Sequence, residues 1–457
     1  MRCPRCPETR THRSGRTGRP RRRRNSGPPW CLDGTGPAPG PVAPQWNGPT
    51  PCQPPHAPPG PAAPSSRGDP AVPTRTFTWN EVSARRLERS GLAGKPLAQD
   101  PAGIAAALCG AHAQVLSAAE LSLMLRTDQG TRTAVQDALW TDRSLVKTYG
   151  PRGTVHLLPT AELPMWTGAL AAVPVGSSPF APDGRLTPGQ TEQVLAAIED
   201  AVAGAELTID ELSEAVVAAT GPWAGDLVMP AFQGKWPRWR QVMHRAGQYG
   251  ALCFGPNRGR KVTYTSPRRA LPGFRPADGP AALTALVRRY LYAYGPATPQ
   301  DFATWIGAPA GWTARLFASL AGELEQVDFA GSPAWILAGD TEAPAAEPSG
   351  VRLLPYFDAY GIACRPRDLL FPGRAAERAL AGRQAGNFPV LLIDGTVAGV
   401  WHQRRSSRRM IQLTVEPLAP LTARQRRALD AQVQRVGEIL QGATELTIGT
   451  VSVGPHA

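Results

Sequence analysis

His112 and Gln114 stand two residues apart in Cys109-Gly110-Ala111-His112-Ala113-Gln114, a spacing at which both side chains can share one water molecule. A glutamine offers a carbonyl acceptor and an amide donor, and a neutral imidazole offers one acceptor nitrogen and one N–H. An imidazole, with an ordinary pKa of about 6.5, could also take a proton from that water near working pH. In isolation a His-x-Gln pair reads as surface or capping polarity. Further on, Arg152-Gly153-Thr154-Val155-His156-Leu157 places a cation at a turn and a second histidine on the strand after it, which in isolation reads as a solvated turn residue and a satisfied strand histidine. Other chemistries find no footing: the chain has no helix-hairpin-helix with a catalytic Asp, Gly-x-Ser-x-Gly elbow, phosphate-cradling loop or dinucleotide fingerprint. Lysine occurs only at Lys95, Lys147, Lys235 and Lys261, none placed to form a Schiff base, so lyase chemistry is not expected.

Cys3-x-x-Cys6 with Cys31, Cys52 and His12 is a weak zinc signal, because no second Cys pair follows at finger spacing. No metal or cofactor is expected. Cys109, Cys253 and Cys364 are isolated in apolar contexts and read as buried thiols in a reducing compartment.

Three stretches share one local plan of helix, helix, helix and hairpin. The first runs through Ala102–Cys109, Ala118–Arg126 and Thr131–Trp140 to Leu145–Tyr149 and Thr154–Leu158, turning at Gly150-Pro151-Arg152-Gly153. The second uses Pro188–Val202, Ile209–Ala218 and Trp236–Tyr249, then Ala251–Phe254 and Lys261–Tyr264. The third uses Pro280–Tyr294, Pro299–Ile306 and Trp312–Leu320, then Leu324–Phe329 and Ala334–Leu337. Turn residues at each reversal, flanked by β-branched and aromatic residues, support the hairpins. This is the plan of a winged helix, and tandem copies point to nucleic acid as the partner. The hairpin turns recur at roughly 105 and then 75 residues, so the copies are an array of domains and not a fixed-period solenoid.

After Gly350 the pattern becomes strand-like at Val351–Leu354, Val390–Ile393, Val397–Trp401 and Met410–Val415, with Asp394-Gly395 as a strong hairpin signal. A helix at Thr422–Leu440 and a strand at Glu445–Val453 close the chain. The expected fold is α+β: three tandem winged-helix units at residues 76–187, 188–272 and 273–345, then a β-barrel-like domain at 346–457. Residues 1–75 carry twelve Arg against Glu8, Asp33 and Asp69, which accounts for most of the formal charge of +13. Their Pro, Gly and Arg content reads as a disordered basic arm or as an over-extended gene start, with Val72 as the alternative beginning. Neither a signal peptide nor a membrane span is expected.

The stretch from Cys109 to Gln114, the Arg152–Leu157 segment, Leu354-Pro355-Tyr356-Phe357-Asp358-Ala359-Tyr360 and Ile393–Trp401 together resemble the AlkZ/YcaQ-type winged-helix DNA glycosylases. The resemblance covers residue 77 to the end. It implies a monofunctional glycosylase that uses water to excise alkylated bases, bulky adducts and crosslinks included, and some members are thought to protect producers of DNA-alkylating antibiotics. The family places a Gln-x-Gln or Gln-x-Asp motif where this chain has His112-Ala113-Gln114, so a histidine replaces the first glutamine. A purine alkylated at N7 or N3 is already cationic and leaves readily, so the enzyme must chiefly place a water on the anomeric carbon and tolerate an oxocarbenium-like cation.

The expected catalytic residues are therefore His112 and Gln114. Expected DNA contacts are Arg152, Thr154 and His156 at the first wing, Arg240 beside Trp236, Trp239 and Arg245 in the second unit, and Arg404, Arg405, Arg408 and Arg409 at a hairpin tip. Like charges held that close favour a neutralising anion. The expected partner is double-stranded, lesion-containing DNA, bound by a monomer in the cytoplasm at the nucleoid. A non-catalytic tandem winged-helix regulator is the alternative, and a family member inactivated by the change to His112 is a third reading.

Overall fold

A computed structural model describes residues 75–94, 97, 100–176, 180, 182–231, 234–380, 384–407 and 409–454. The basic arm, with its four cysteines and His12, lies outside the described residues, as does Arg408.

The first unit runs as helix Pro101–Ala107, strand Ala111–His112, helices Leu116–Met124 and Arg132–Trp140, and hairpin Leu145–Tyr149 with Val155–Pro159. The short strand pairs with the second hairpin strand, giving a three-stranded sheet. The second unit repeats this plan with Pro188–Val202, Leu207–Thr208, Ile209–Thr220, Met243–Gln248 and the hairpin Cys253–Arg258 with Lys261–Thr265. In the third, Gly279–Tyr294, Pro299–Ile306 and Ala310–Ser319 precede Leu324–Phe329 and Ser332–Leu337, and a bridge from Ala297 to Trp335 takes the short strand's place. Capping boxes at Thr187, Thr208 and Thr298 start three of these helices, each threonine and the residue three later satisfying two orphan amides.

The second unit departs from expectation at Trp236. That residue lies on an added hairpin, Leu227–Ala231 with Gly234–Pro237, and the third helix begins only after the tight turn Arg238–Val242. Pro237 explains the shift, since it donates no N–H and biases the residue before it toward extended backbone. Strand Thr76–Phe77, which the sequence groups with the first unit, instead runs parallel to Leu324–Phe329 in the third unit's sheet. Its helix Trp79–Arg89 is anchored there by buried arginines: Arg86 Nε donates to the Tyr294 carbonyl at 2.9 Å and Arg85 pairs with Asp340 at 2.8 Å.

In the C-terminal domain Val351–Leu354, Val390–Ile393, Thr396–Arg405, Met410–Pro417 and Ala443–Ile448 pair in that order, the last pair parallel and the others antiparallel. The expected barrel is an open sheet among the described residues. Helix Ala423–Leu440 touches both edge strands, so a helix covers the side that further strands would have to close. One core runs through the first unit, the third unit and this domain, while the second unit has its own around Trp239, Val194 and Leu212. Among the described residues no helix is long and apolar enough to cross a membrane.

Candidate active site

Strand Ala111–His112 lies antiparallel to Val155–Pro159, with Ala111 opposite Leu157 and His112 opposite His156. Extended backbone alternates faces, so Ala111 is buried while His112 is half-buried, and the exposed Gln114 follows the strand just before helix Leu116–Met124. His112 Nδ1 lies 3.5 Å from the Gln114 backbone nitrogen, at the long edge of hydrogen bonding. Cys109 and Gly110, with φ of 51° and 89°, turn the chain out of the preceding helix. Burial pushes the neighbouring Cys109 thiol up to about 12, which removes it as a nucleophile.

Two rings hold His112. The His156 ring meets it edge-on at 5.0 Å and 63°. His156 is only 5% exposed, and its Nδ1 lies 2.9 Å from the Thr154 carbonyl, so that nitrogen carries the hydrogen and Nε2 keeps a lone pair. Burial, then His112 and Arg152 beside it, hold the His156 imidazole well below the ordinary histidine value, which keeps it neutral. A Cβ at residue 150 would come within 2.8 Å of this ring, so the site requires Gly150.

On the other side Phe357 stacks on His112, with centroids 4.5 Å apart and planes 24° apart. Sequence reasoning assigned Phe357 no role. Its φ of 56° is unusual for an aromatic residue, and its neighbours enforce it. Phe357 N–H donates to the Gly386 carbonyl at 3.0 Å, and a Cβ on Gly386 would press the Phe357 ring at 3.0 Å. Next in the chain, buried Asp358 accepts both Arg126 Nη1 and Nη2 at 2.9 Å and the Ser122 hydroxyl at 2.7 Å. Arg126 and Ser122 flank or lie on the helix that follows Gln114, so this pair locks the C-terminal domain's loop against the dyad.

The remaining expected contacts scatter around this centre. Arg152, at φ 59°, keeps an exposed face and donates to the Trp305 carbonyl of the third unit. Thr154 uses its hydroxyl to close its own turn on the Pro151 carbonyl at 3.0 Å. Arg240 stacks over Trp236 at 4.1 Å, half-buried, with its Nε lacking a hydrogen-bond partner. At the C-terminal hairpin Arg404, Arg405 and Arg409 are all exposed, and Arg405 also donates to the Leu440 carbonyl at 2.6 Å, at the end of helix Ala423–Leu440. The polar groups of His112 and Gln114 can therefore orient a small nucleophile, and the other basic candidates come from the first unit, the second unit and the C-terminal domain.

Comparison with known proteins places the chain in a family. A family model described as "DNA glycosylase AlkZ-like" matches residues 105–439. The "Interstrand DNA cross-link repair glycosylase" of Streptomyces sahachiroi is 34% identical over 344 residues, covering 71% of this chain and 87% of the relative. The solved structure of Streptomyces sahachiroi DNA glycosylase AlkZ superimposes with a TM-score of 0.68 at 26% identity, covering 82% of this chain and all of that one. The chain belongs to the AlkZ-like DNA glycosylases, DNA-binding repair enzymes that hydrolyse N-glycosyl bonds.

Proposed function

We propose that the chain excises purines alkylated at N7 or N3 from duplex DNA by a monofunctional hydrolysis, with His112 and Gln114 holding the attacking water. The observation that supports this reading is the strand-to-helix junction that holds His112 in ring contact with both His156 and Phe357, two residues before the exposed Gln114. Gln114 supplies a carbonyl that orients the water and an amide that can face the developing oxocarbenium's surroundings, while a fixed imidazole accepts the water's hydrogen. No proton need be given to a leaving base that is already cationic. The name of the Streptomyces sahachiroi relative adds interstrand DNA cross-links to the proposed substrates.

The three helix–strand–helix–helix–hairpin units are read as winged helices that carry the duplex, with Arg152, Thr154, His156, Arg240, Arg404, Arg405, Arg408 and Arg409 as the proposed contact set. Thr154 and Arg405 enter that set through the turn and helix end they shape. The proposed working state is a monomer at the bacterial nucleoid. Incubating purified protein with an N7-methylguanine duplex and measuring free base tests the reading: release without strand cleavage is expected, and binding without release would leave a non-catalytic DNA-binding protein.

A further inference from the structure

A cavity of about 280 Å³ lies where the first unit's hairpin turn, the second unit's helix Met243–Gln248 and the third unit's Ile306-Gly307 meet. Its polar lining among the described residues is Arg152, His244, Arg245, Gln248 and Tyr249, every one an N–H or O–H donor, with no Asp or Glu. Arg245 donates to the Tyr249 hydroxyl at 2.9 Å while its buried Nε has no hydrogen-bond partner, and Arg152 donates to a backbone carbonyl. Two guanidinium groups thus line one space with neutral oxygens as their hydrogen-bond acceptors. Arg152 and His244 keep exposed faces, so an anion can reach them from solvent.

The cavity is also built to a fixed shape. A Cβ on Gly153 would meet the His244 ring at 3.1 Å, and one on Gly307 would meet Arg152 Cα at 3.1 Å. Both glycines have positive φ, and both let separate units close on the same point. Gln248 Nε2 donates to the Gly150 carbonyl at 2.9 Å, and Gly150 is the residue packed on the His156 ring. The cavity is therefore connected to His112 through Gln248, Gly150 and His156.

We propose that the cavity takes one phosphodiester of the bound DNA strand, held by Arg152, His244 and Arg245, and that this contact sets the position of the scissile nucleotide against His112 and Gln114. The proposal rests on the glycosylase reading for the last clause alone. A phosphodiester presents two charged oxygens that suit forked guanidinium donors, and contacts of this kind fix register without reading sequence.

The test uses the full chain and two duplexes. With an undamaged labelled duplex, Arg245→Gln reduces the slope of log affinity against log salt by about 0.9, the value of one neutralised phosphate, and Arg245→Lys keeps it. With a duplex bearing an abasic-site analogue and a single neutral methylphosphonate moved along the strand, wild type weakens at one position where Arg245→Gln shows no added loss. A reduced slope without base release would retain the phosphate site and reject the glycosylase assignment of the dyad. An unchanged slope, a methylphosphonate penalty equal in both proteins, or an equal loss in Arg245→Lys with a lowered melting temperature assigns the cavity to packing and overturns the proposal.

Discussion

His112 is held from two sides, by His156 at 5.0 Å and Phe357 at 4.5 Å, and the state of His156 governs that clamp. Its neutral form fits the buried site, and its pKa lies well below the ordinary value because of burial and of His112 and Arg152 nearby. In the unfolded chain a histidine titrates near 6.5. Between the folded and unfolded values the unfolded chain binds more protons, so the contribution to stability is complete above about pH 6.5 and is lost as pH falls toward the folded value. The slope is at most about 1.4 kcal/mol per pH unit for one such group. Thermal melts should be level from pH 8 to 7 and decline below, and His156→Gln should make that decline shallower; an identical decline in the variant would assign it to other groups. His112 and Gln114 could be singled out in the sequence because they stand where the family resemblance places its motif. Phe357 was not, because its contact depends on a left-handed backbone and a loop from a distant part of the chain, neither of which leaves a periodic trace.

Hairpins were the most legible elements, since their turn chemistry is local. Asp394-Gly395 takes positive φ at both residues, 48° and 81°, as a tight two-residue turn demands. The two-residue strands Ala111–His112 and Leu207–Thr208 were invisible because they exist only by pairing with Val155–Pro159 and Lys261–Thr265. The arginine hairpin keeps Arg404, Arg405 and Arg409 exposed, and Arg405 also bonds the end of helix Ala423–Leu440. Replacing Arg404 and Arg409 together by glutamine should lower the salt slope of duplex binding by up to about two units, at about 0.9 per phosphate, with damaged and undamaged duplex affected alike. Anisotropy titrations across a salt series give this slope directly, and an unaltered slope would leave the hairpin to solvent.

Across the whole molecule, the first unit, the third unit and the C-terminal domain share one core, with the second unit's core beside it. The repeated helix and hairpin pattern was readable in the sequence, but this sharing was not, because it rests on long-range pairs such as Arg126 with Asp358, 0% and 2% exposed. Asp358→Ala leaves the Arg126 charge buried and uncompensated, so denaturant unfolding should report a loss of about 3–5 kcal/mol; a loss under about 1 kcal/mol would mean that the domains are held together elsewhere. That same lock brings Phe357 to His112, so the proposed catalytic centre draws on two parts of the chain far apart in sequence. Single-turnover release of N7-methylguanine from a defined duplex, compared among wild type, His112→Gln and Gln114→Ala, tests the central claim most directly. The expected result is substantial release by wild type and His112→Gln, because an amide can also orient water, and a loss on the order of a hundredfold or more in Gln114→Ala with binding to undamaged duplex retained. Equal release by Gln114→Ala and wild type would contradict the claim and remove the dyad from the reaction.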